Sequence, residues 1–176
     1  RAYYLANITM IDQKIGEILE ALDEQGYLDN AMIIFTSDHG DCLGDHGLSQ
    51  KWSGYDQVVR VPAIVWKPGT IKAGHEVSSL CQQFDISQTL LEMAGIQIPS
   101  SFESESLMDG LLGKLQSGRK YVFAEQGGDG NLTDAQMVTM VRSEKWKMIF
   151  SEAICNEVRT PGVGATTRSV GIKGTL

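Results

Sequence analysis

The sequence predicts an α/β fold in which a mostly parallel sheet is flanked by helices, with a small antiparallel sheet towards the C-terminus. A helical pattern at the start of the chain leads through a short turn into an apolar run at 31–36, and helix, turn and buried strand together make half of a βαβ unit. A second apolar run follows at 60–66. Further on, the runs 137–142 and 145–150 are separated by a short polar turn, which is typical of an antiparallel hairpin.

The first helix is predicted from the spacing of its apolar residues. They recur at three- and four-residue steps from Tyr4 to Leu22, and charged side chains occupy the opposite face. Gly26 has the position of a glycine that ends a helix in the left-handed conformation. The run 31–36 that follows has the length and β-branched content of a strand buried on both faces.

Two later elements have local signals of their own. Pro62 should lie at the start or at an edge of the second strand, because proline cannot donate to a sheet ladder. Asp85 precedes Gln88 by three residues, as in a capping box, which predicts a helix from Ile86 to Ala94 that stops at Gly95.

The chain divides into three predicted parts. Residues 1–115 form the α/β part and end in a short helix at 106–115, and residues 116–152 form the small antiparallel subdomain. Residues 153–176 are predicted to be an irregular or disordered tail, because they are rich in glycine and threonine without clear periodicity.

Composition excludes several classes of function. The formal net charge of −7 argues against binding to a nucleic-acid backbone, which needs a basic face. No stretch approaches the roughly 18 consecutive apolar residues of a membrane span. The cysteines at 42, 81 and 155 lack the spacing of a zinc site, and neighbouring acids argue against a reactive thiolate at Cys42. Oligomeric state is left open.

The stretch 33–51 holds the residues that are most suited to chemistry. At Thr36 the apolar run gives way to small, acidic and imidazole-bearing residues, and three glycines allow tight turns. In open α/β sheets, ligands bind just beyond the carboxyl ends of strands. The residues predicted there are Asp38, His39, Asp41, Asp45 and His46, with Lys51 at the far end of the loop; the acids at 41 and 45 are favoured as solvated loop residues.

Each of the other four candidates has a functional and a structural interpretation. Asp38 and His39 offer a carboxylate and an imidazole to one cation, although spacing alone leaves open Ca²⁺, Mg²⁺, Zn²⁺ and Mn²⁺; they could equally be a turn cap and a satisfied polar residue. His46 could be a general acid, a donor to a substrate oxyanion or a packing histidine. Lys51 could be a surface lysine or a point charge for a tetrahedral anion.

Taken together, these motifs resemble the sulfatase branch of the alkaline phosphatase superfamily. The similarity covers about residues 1–150. It is most specific in the series Asp38-His39-Gly40, Gly44-Asp45-His46-Gly47, Lys51 and Arg60-Val61-Pro62, which is similar to the second metal-binding segment and the strand after it. The helix near 84–96 and the strand pair at 141–147 are weaker matches. The resemblance implies an alkaline phosphatase-like sheet, of which residues 1–115 would be the C-terminal portion.

The resemblance also implies a function. It indicates a sulfuric ester hydrolase that acts on a small-molecule or carbohydrate sulfate ester, with Asp38 and His39 as metal ligands, most often for Ca²⁺. Lys51 would contact the sulfate and His46 would lie near the substrate. The family's nucleophile is a formylglycine made from Cys or Ser in a C/S-x-P/A-x-R motif of the N-terminal half, and no cysteine of this chain has that context. We therefore expect a fragment that carries half of the site and does not turn over sulfate esters alone.

Two alternatives stay open. A phosphodiesterase, phosphonate monoester hydrolase or phosphoethanolamine transferase of the same superfamily would use Asp38 and His39 in much the same way. A non-catalytic protein could retain the fold to bind an anion or a partner. The identity of the nucleophile would separate the enzymes, because Cys points to a sulfatase and Thr to phosphoryl transfer.

Overall fold

The computed structural model describes residues 1–51, 53–114, 118–127, 138–151 and 170–173. In chain order the elements are α1 (Ala2–Glu24), β1 (Ile33–Thr36), α2 (Asp56–Val59), β2 (Ala63–Trp66), α3 (Asp85–Met93), α4 (Met108–Leu111), β3 (Val122–Gln126), β4 (Val138–Arg142), β5 (Trp146–Ser151) and β6 (Val170–Lys173), with 3-10 turns at Tyr27–Asn30 and Asp45–Gly47. None of the described helices is long and apolar enough to cross a membrane.

The chain forms two compact units. Unit 1 consists of Arg1–Ser37 and Pro62–His75, and unit 2 of Asp38–Val61 and Glu76–Leu176. Unit 2 extends across the boundary that the sequence predicted near residue 115. All four predicted site residues belong to unit 2.

The helix of unit 1 forms as predicted, with Gly26 in the left-handed conformation at φ 69° just after it. No residue of α1 is buried among the described residues, and Ile8, Ile11 and Ile18 of its apolar stripe are 48%, 49% and 59% exposed. Its apolar stripe is therefore present in the sequence pattern but largely uncovered in this chain.

The two strands of unit 1 pair antiparallel, with Ile33 opposite Trp66 and Thr36 opposite Ala63. The predicted parallel pairing is wrong for them, because the connection between them lacks the long crossover helix that usually links parallel neighbours. The predicted burial of β1 on both faces is also wrong, since Phe35 is 39% exposed. Pro62 precedes β2, as expected.

Unit 2 contains an antiparallel sheet in the order β3-β4-β5-β6. The predicted hairpin is confirmed as β4–β5, with Arg142 opposite Lys147. Side chains alternate across the sheet: Val122 and Met140 are buried, whereas Phe123 and Met148 point outward and are exposed. β6 falls in the segment that was predicted to be irregular, and the remainder of that tail lies outside the described residues.

Helix α3 has nearly the predicted bounds, but the predicted capping box is wrong. Asp85 is its first residue and makes no cap hydrogen bond. It is fully buried and accepts hydrogen bonds from the backbone N–H groups of Gln82 (2.8 Å) and Glu105 (2.9 Å) and from the Arg119 guanidinium (2.6–3.1 Å). Gln88 instead accepts a hydrogen bond from Ser104. The carboxylate is used for tertiary contacts rather than for the helix end.

This buried carboxylate organises the middle of unit 2. Burial raises the pKa of Asp85, but the hydrogen bonds from Arg119 and from two backbone N–H groups outweigh that effect and hold the pKa below its ordinary value. Thr89, also fully buried, donates to the Asp85 carbonyl and accepts from Leu107 N–H. The hydrogen bonds of Asp85 and Thr89 hold α3 against the backbone at 105–107 and against Arg119. The short helix predicted at 106–115 is limited to α4.

Candidate functional site

The site loop between Gly40 and Lys51 is closed by hydrogen bonds within the chain. One Asp41 carboxylate oxygen accepts from the backbone N–H groups of Leu43 (2.7 Å) and Gln50 (3.0 Å). Cys42 N–H donates to the Gln50 carbonyl at 3.0 Å. These hydrogen bonds bring the end of the loop back beside Asp41, so that Lys51 lies close to the start of the loop. The carboxylate of Asp41, predicted to be a solvated loop acid, is half-buried and stabilises the loop.

The first part of the loop is held against α2. Gly40 N–H donates to the Val58 carbonyl at 2.8 Å. A Cβ at position 40 would overlap the carbonyl oxygen of Gln57, so only glycine permits this approach. The close contact fixes the backbone that carries Asp38 and His39.

Asp38 and His39 lie together at the start of the loop. One Asp38 oxygen, Oδ1, accepts from His39 N–H at 2.9 Å, and the other, Oδ2, lies 3.5 Å from His39 Nε2. His39 Nδ1 is 2.8 Å from the Gly40 carbonyl, and a hydrogen bond to that acceptor requires the proton on Nδ1. The Asp38 side chain is 83% exposed and that of His39 39% exposed. A carboxylate oxygen and an imidazole nitrogen thus lie side by side near the surface.

His46 contacts an aromatic residue that sequence reasoning missed. Its ring stacks on that of Tyr55, with 4.0 Å between centroids and 12° between planes. The His46 backbone is left-handed at φ 56°, and Leu43 and Gln50 in the same loop are left-handed too. Non-glycine residues pay a conformational cost there, and such strain tends to cluster at functional sites. No signal in the sequence pairs Tyr55 with His46.

The segment around Tyr55 is anchored to the antiparallel sheet. Asp56 forms ion pairs with Arg142 of β4, at 2.9 Å, and with Lys147 of β5. Burial raises the pKa of Asp56, but hydrogen bonds from Lys147 and Arg142 outweigh it and lower the pKa below its ordinary value. A Cβ on Gly54 would lie 3.1 Å from atoms of Met140 and Ile149, so the glycine packs closely on the inner face of the sheet.

The remaining candidates are less constrained. Lys51 is exposed, and its carbonyl accepts from Ser53 N–H at 2.8 Å. Cys42 is only 1% exposed, with its sulfur 3.5 Å from the Ser53 hydroxyl. Within the described part of the chain, no three His, Cys, Asp or Glu side chains form a cluster that could hold a metal ion.

Comparison with known proteins decides the family. Residues 1–96, more than half of the chain, match the family model described as Sulfatase. The chain belongs to the sulfatase family. It is 39% identical over 136 residues to an arylsulfatase of Clostridium perfringens, a match that covers 74% of this chain and 28% of that protein.

Solved structures agree with the sulfatase assignment. The structure of BT4656 in complex with its substrate D-glucosamine-2-N,6-O-disulfate is similar with a TM-score of 0.76 and 32% identity, over 83% of this chain and 30% of that one. A phosphonate monoester hydrolase from Silicibacter pomeroyi is similar with a TM-score of 0.72 and 29% identity, over 80% and 30%. The alkaline phosphatase-like fold predicted from the resemblance is confirmed. This chain spans less than a third of these relatives.

Proposed function

We propose that this chain is the part of a sulfuric ester hydrolase that carries one half of its metal and sulfate site. In this proposal Asp38 and His39 bind the metal ion, while Lys51 and His46 face the sulfate group. The observation that carries it is the paired Asp38 carboxylate and His39 imidazole, at the head of a closed loop, in a chain of the sulfatase family.

We propose calcium as the metal ion. Ca²⁺ binds oxygen ligands at 2.3–2.6 Å, so two ligands at right angles lie about 3.3–3.7 Å apart. The 3.5 Å between Asp38 Oδ2 and His39 Nε2 is compatible with that range, and two ligands of a tetrahedral Zn²⁺ would lie about as far apart, so the family resemblance and not the distance favours calcium. The Gly40 carbonyl holds the imidazole by its other nitrogen, as is usual for a metal-binding histidine. When bound, the cation would neutralise charge on the sulfuryl oxygens.

Lys51 and His46 are proposed to bind the anion. The Lys51 ammonium offers three N–H donors and a full positive charge to sulfate oxygens. The His46 imidazole can donate a hydrogen bond or act as a general acid. We propose a small-molecule or carbohydrate sulfate ester as substrate, since the substrate of the similar BT4656 is a sulfated glucosamine.

Calcium titration tests the metal half of the proposal. With only two protein ligands, the 176-residue chain should bind Ca²⁺ with a dissociation constant of about 10⁻³ M or weaker, followed by NMR at the His39 ring. D38N should abolish the response, whereas D23N, a change on the exposed face of α1, should preserve it. Micromolar binding by this chain, or an unchanged response in D38N, would refute the half-site.

Sulfate titration tests the anion half. K51M should weaken binding of inorganic sulfate to the chain, while the matched change K145M at another exposed lysine of unit 2 should leave it unaltered. Equal effects of the two variants would show that the response reflects general charge and not a site.

An activity assay tests whether this chain alone can hydrolyse a sulfate ester. The nucleophile in this proposal is a formylglycine that the present sequence lacks. The chain should therefore give no hydrolysis of an aryl sulfate above background in the presence of calcium, and robust turnover would contradict the proposal.

A phosphonate monoester hydrolase is the second candidate, favoured by the similarity to the Silicibacter pomeroyi enzyme. The intact enzyme would then hydrolyse a phosphonate monoester faster than an aryl sulfate. Competition between the two substrates decides, because the preferred one inhibits turnover of the other.

A further inference from the structure

We infer that Tyr55 is a positioning residue for His46, and that strands β4 and β5 set the position of Tyr55. The inference rests on the proposed function of His46 at the sulfate. It adds a chain of contacts from the inner face of the antiparallel sheet to the anion site.

The stack is the main constraint that the structure shows on the His46 ring. His46 lies between Gly44 and Gly47, which adopt φ angles of 93° and 71°, and its own backbone is left-handed. Hydrogen bonds hold this turn, from Gly44 N–H to the Leu48 carbonyl at 2.8 Å and from Leu48 N–H to the Asp45 carbonyl at 3.0 Å, and they fix the backbone but not the side-chain torsions of His46. The nearly parallel Tyr55 ring at 4.0 Å restricts the imidazole to one plane. A restricted ring loses less entropy when its N–H binds an anion.

Tyr55 is itself fixed by both neighbours and by its own backbone. Gly54 packs on Met140 of β4 and Ile149 of β5, and Asp56 is bonded to one cation from each strand. The Tyr55 carbonyl accepts from Val58 N–H at 2.9 Å and Val59 N–H at 3.0 Å, which closes the turn of α2. The tyrosine ring therefore presents a fixed surface to the loop.

The test uses the 176-residue chain, NMR of the His46 ring protons, and inorganic sulfate as the probe. In the wild type, the Tyr55 ring current should shift the His46 resonances upfield. Y55F retains an aromatic ring and should keep both this shift and the sulfate affinity. Y55L should lose the shift and bind sulfate about two- to tenfold more weakly, the range expected from the energy of an aromatic stack. Y121L, at an exposed tyrosine of the same unit, is the matched control.

A purely structural role for Tyr55 would give a different result. Y55L would then lower the melting temperature and alter resonances throughout unit 2, with no selective effect at His46. If Y55L fails to fold, the wild-type and Y55F spectra still decide, since unshifted His46 resonances in both would refute the stack.

R142M tests whether the sheet sets the position of Tyr55, because it removes one of the two cations paired with Asp56. It should reduce the His46 ring-current shift although Arg142 does not belong to the loop, and an unchanged shift would refute the role of the sheet. A wild-type chain with shifted His46 resonances but no response to sulfate would refute the proposed function, while the positioning of His46 by Tyr55 would stand.

Discussion

Replacing Asp85 by Asn should be one of the most destabilising single-atom changes in this chain. The side chain is 1% exposed, and its partner Arg119 is 14% exposed. Both carboxylate oxygens are occupied by N–H donors, from Arg119 and from the backbone of Gln82 and Glu105. An asparagine keeps one acceptor but turns an amide donor towards these donors, and it leaves the guanidinium only the exposed Glu105 carboxylate, at 3.5 Å, as a counter-charge.

The magnitude follows from the burial of the pair. Removing one partner of a buried ion pair costs about 3–5 kcal/mol, because the remaining charge is left uncompensated. Against a total stability of about 5–15 kcal/mol this is a large fraction. For a chain of this length, a loss of about 3 kcal/mol lowers the melting temperature by roughly 6–12 °C.

Urea and thermal unfolding followed by circular dichroism measure the effect. E17Q is the control, because Glu17 pairs with Lys14 on the exposed face of α1 and should contribute no more than about 0.5 kcal/mol. R119M should cost about as much as D85N, and the double variant should cost less than the sum of the two, with a coupling of about 1–3 kcal/mol. A loss below about 1 kcal/mol in D85N, or strict additivity with R119M, would refute the buried-pair argument.

Two further predictions concern acid stability and backbone conformation. Because the folded-state pKa values of Asp85 and Asp56 are lowered, both carboxylates stabilise the fold fully above their unfolded value of about 3.9, and that contribution is lost as pH falls through the folded values. Unfolding measured from pH 6 to pH 2 should show this loss, and D85N should flatten it; a variant with the full wild-type pH dependence would contradict the assignment. G47A should cost about 1–2 kcal/mol through backbone conformation alone, since φ is 71° and its Cβ would meet open space, whereas G16A in the interior of α1 should gain up to about 1 kcal/mol. If chemical denaturation gave equal changes in unfolding free energy for G47A and G16A, the left-handed turn at Gly47 would be contradicted.

Much of the local structure was predictable because its cause is local. The apolar spacing of α1, the glycine after it and the polar turn between β4 and β5 all depend on residues a few positions apart. The motif from Asp38 to Lys51 also predicted the family, since its residue types and glycine spacing are similar to a segment of the sulfatases. Residue order alone also placed Pro62 ahead of β2.

Other features were decided only by the tertiary structure. Asp85 carries the local signature of a helix cap, yet it is bonded to Glu105 and Arg119, which follow it by 20 and 34 residues. Asp56 finds Arg142 and Lys147 at separations of 86 and 91 residues. The pairing direction of β1 and β2 likewise depends on how the chain returns between them and not on the composition of either strand.

The sequence by itself determined the family and much of the helix–strand pattern, and it supplied the residues that we propose for metal and anion binding. The tertiary structure decided which partner each buried charge has and which ring faces His46. The physical reason is that periodicity and turn chemistry act between near neighbours in the chain, whereas ion pairs and ring stacks depend on where the folded backbone places residues far apart in sequence.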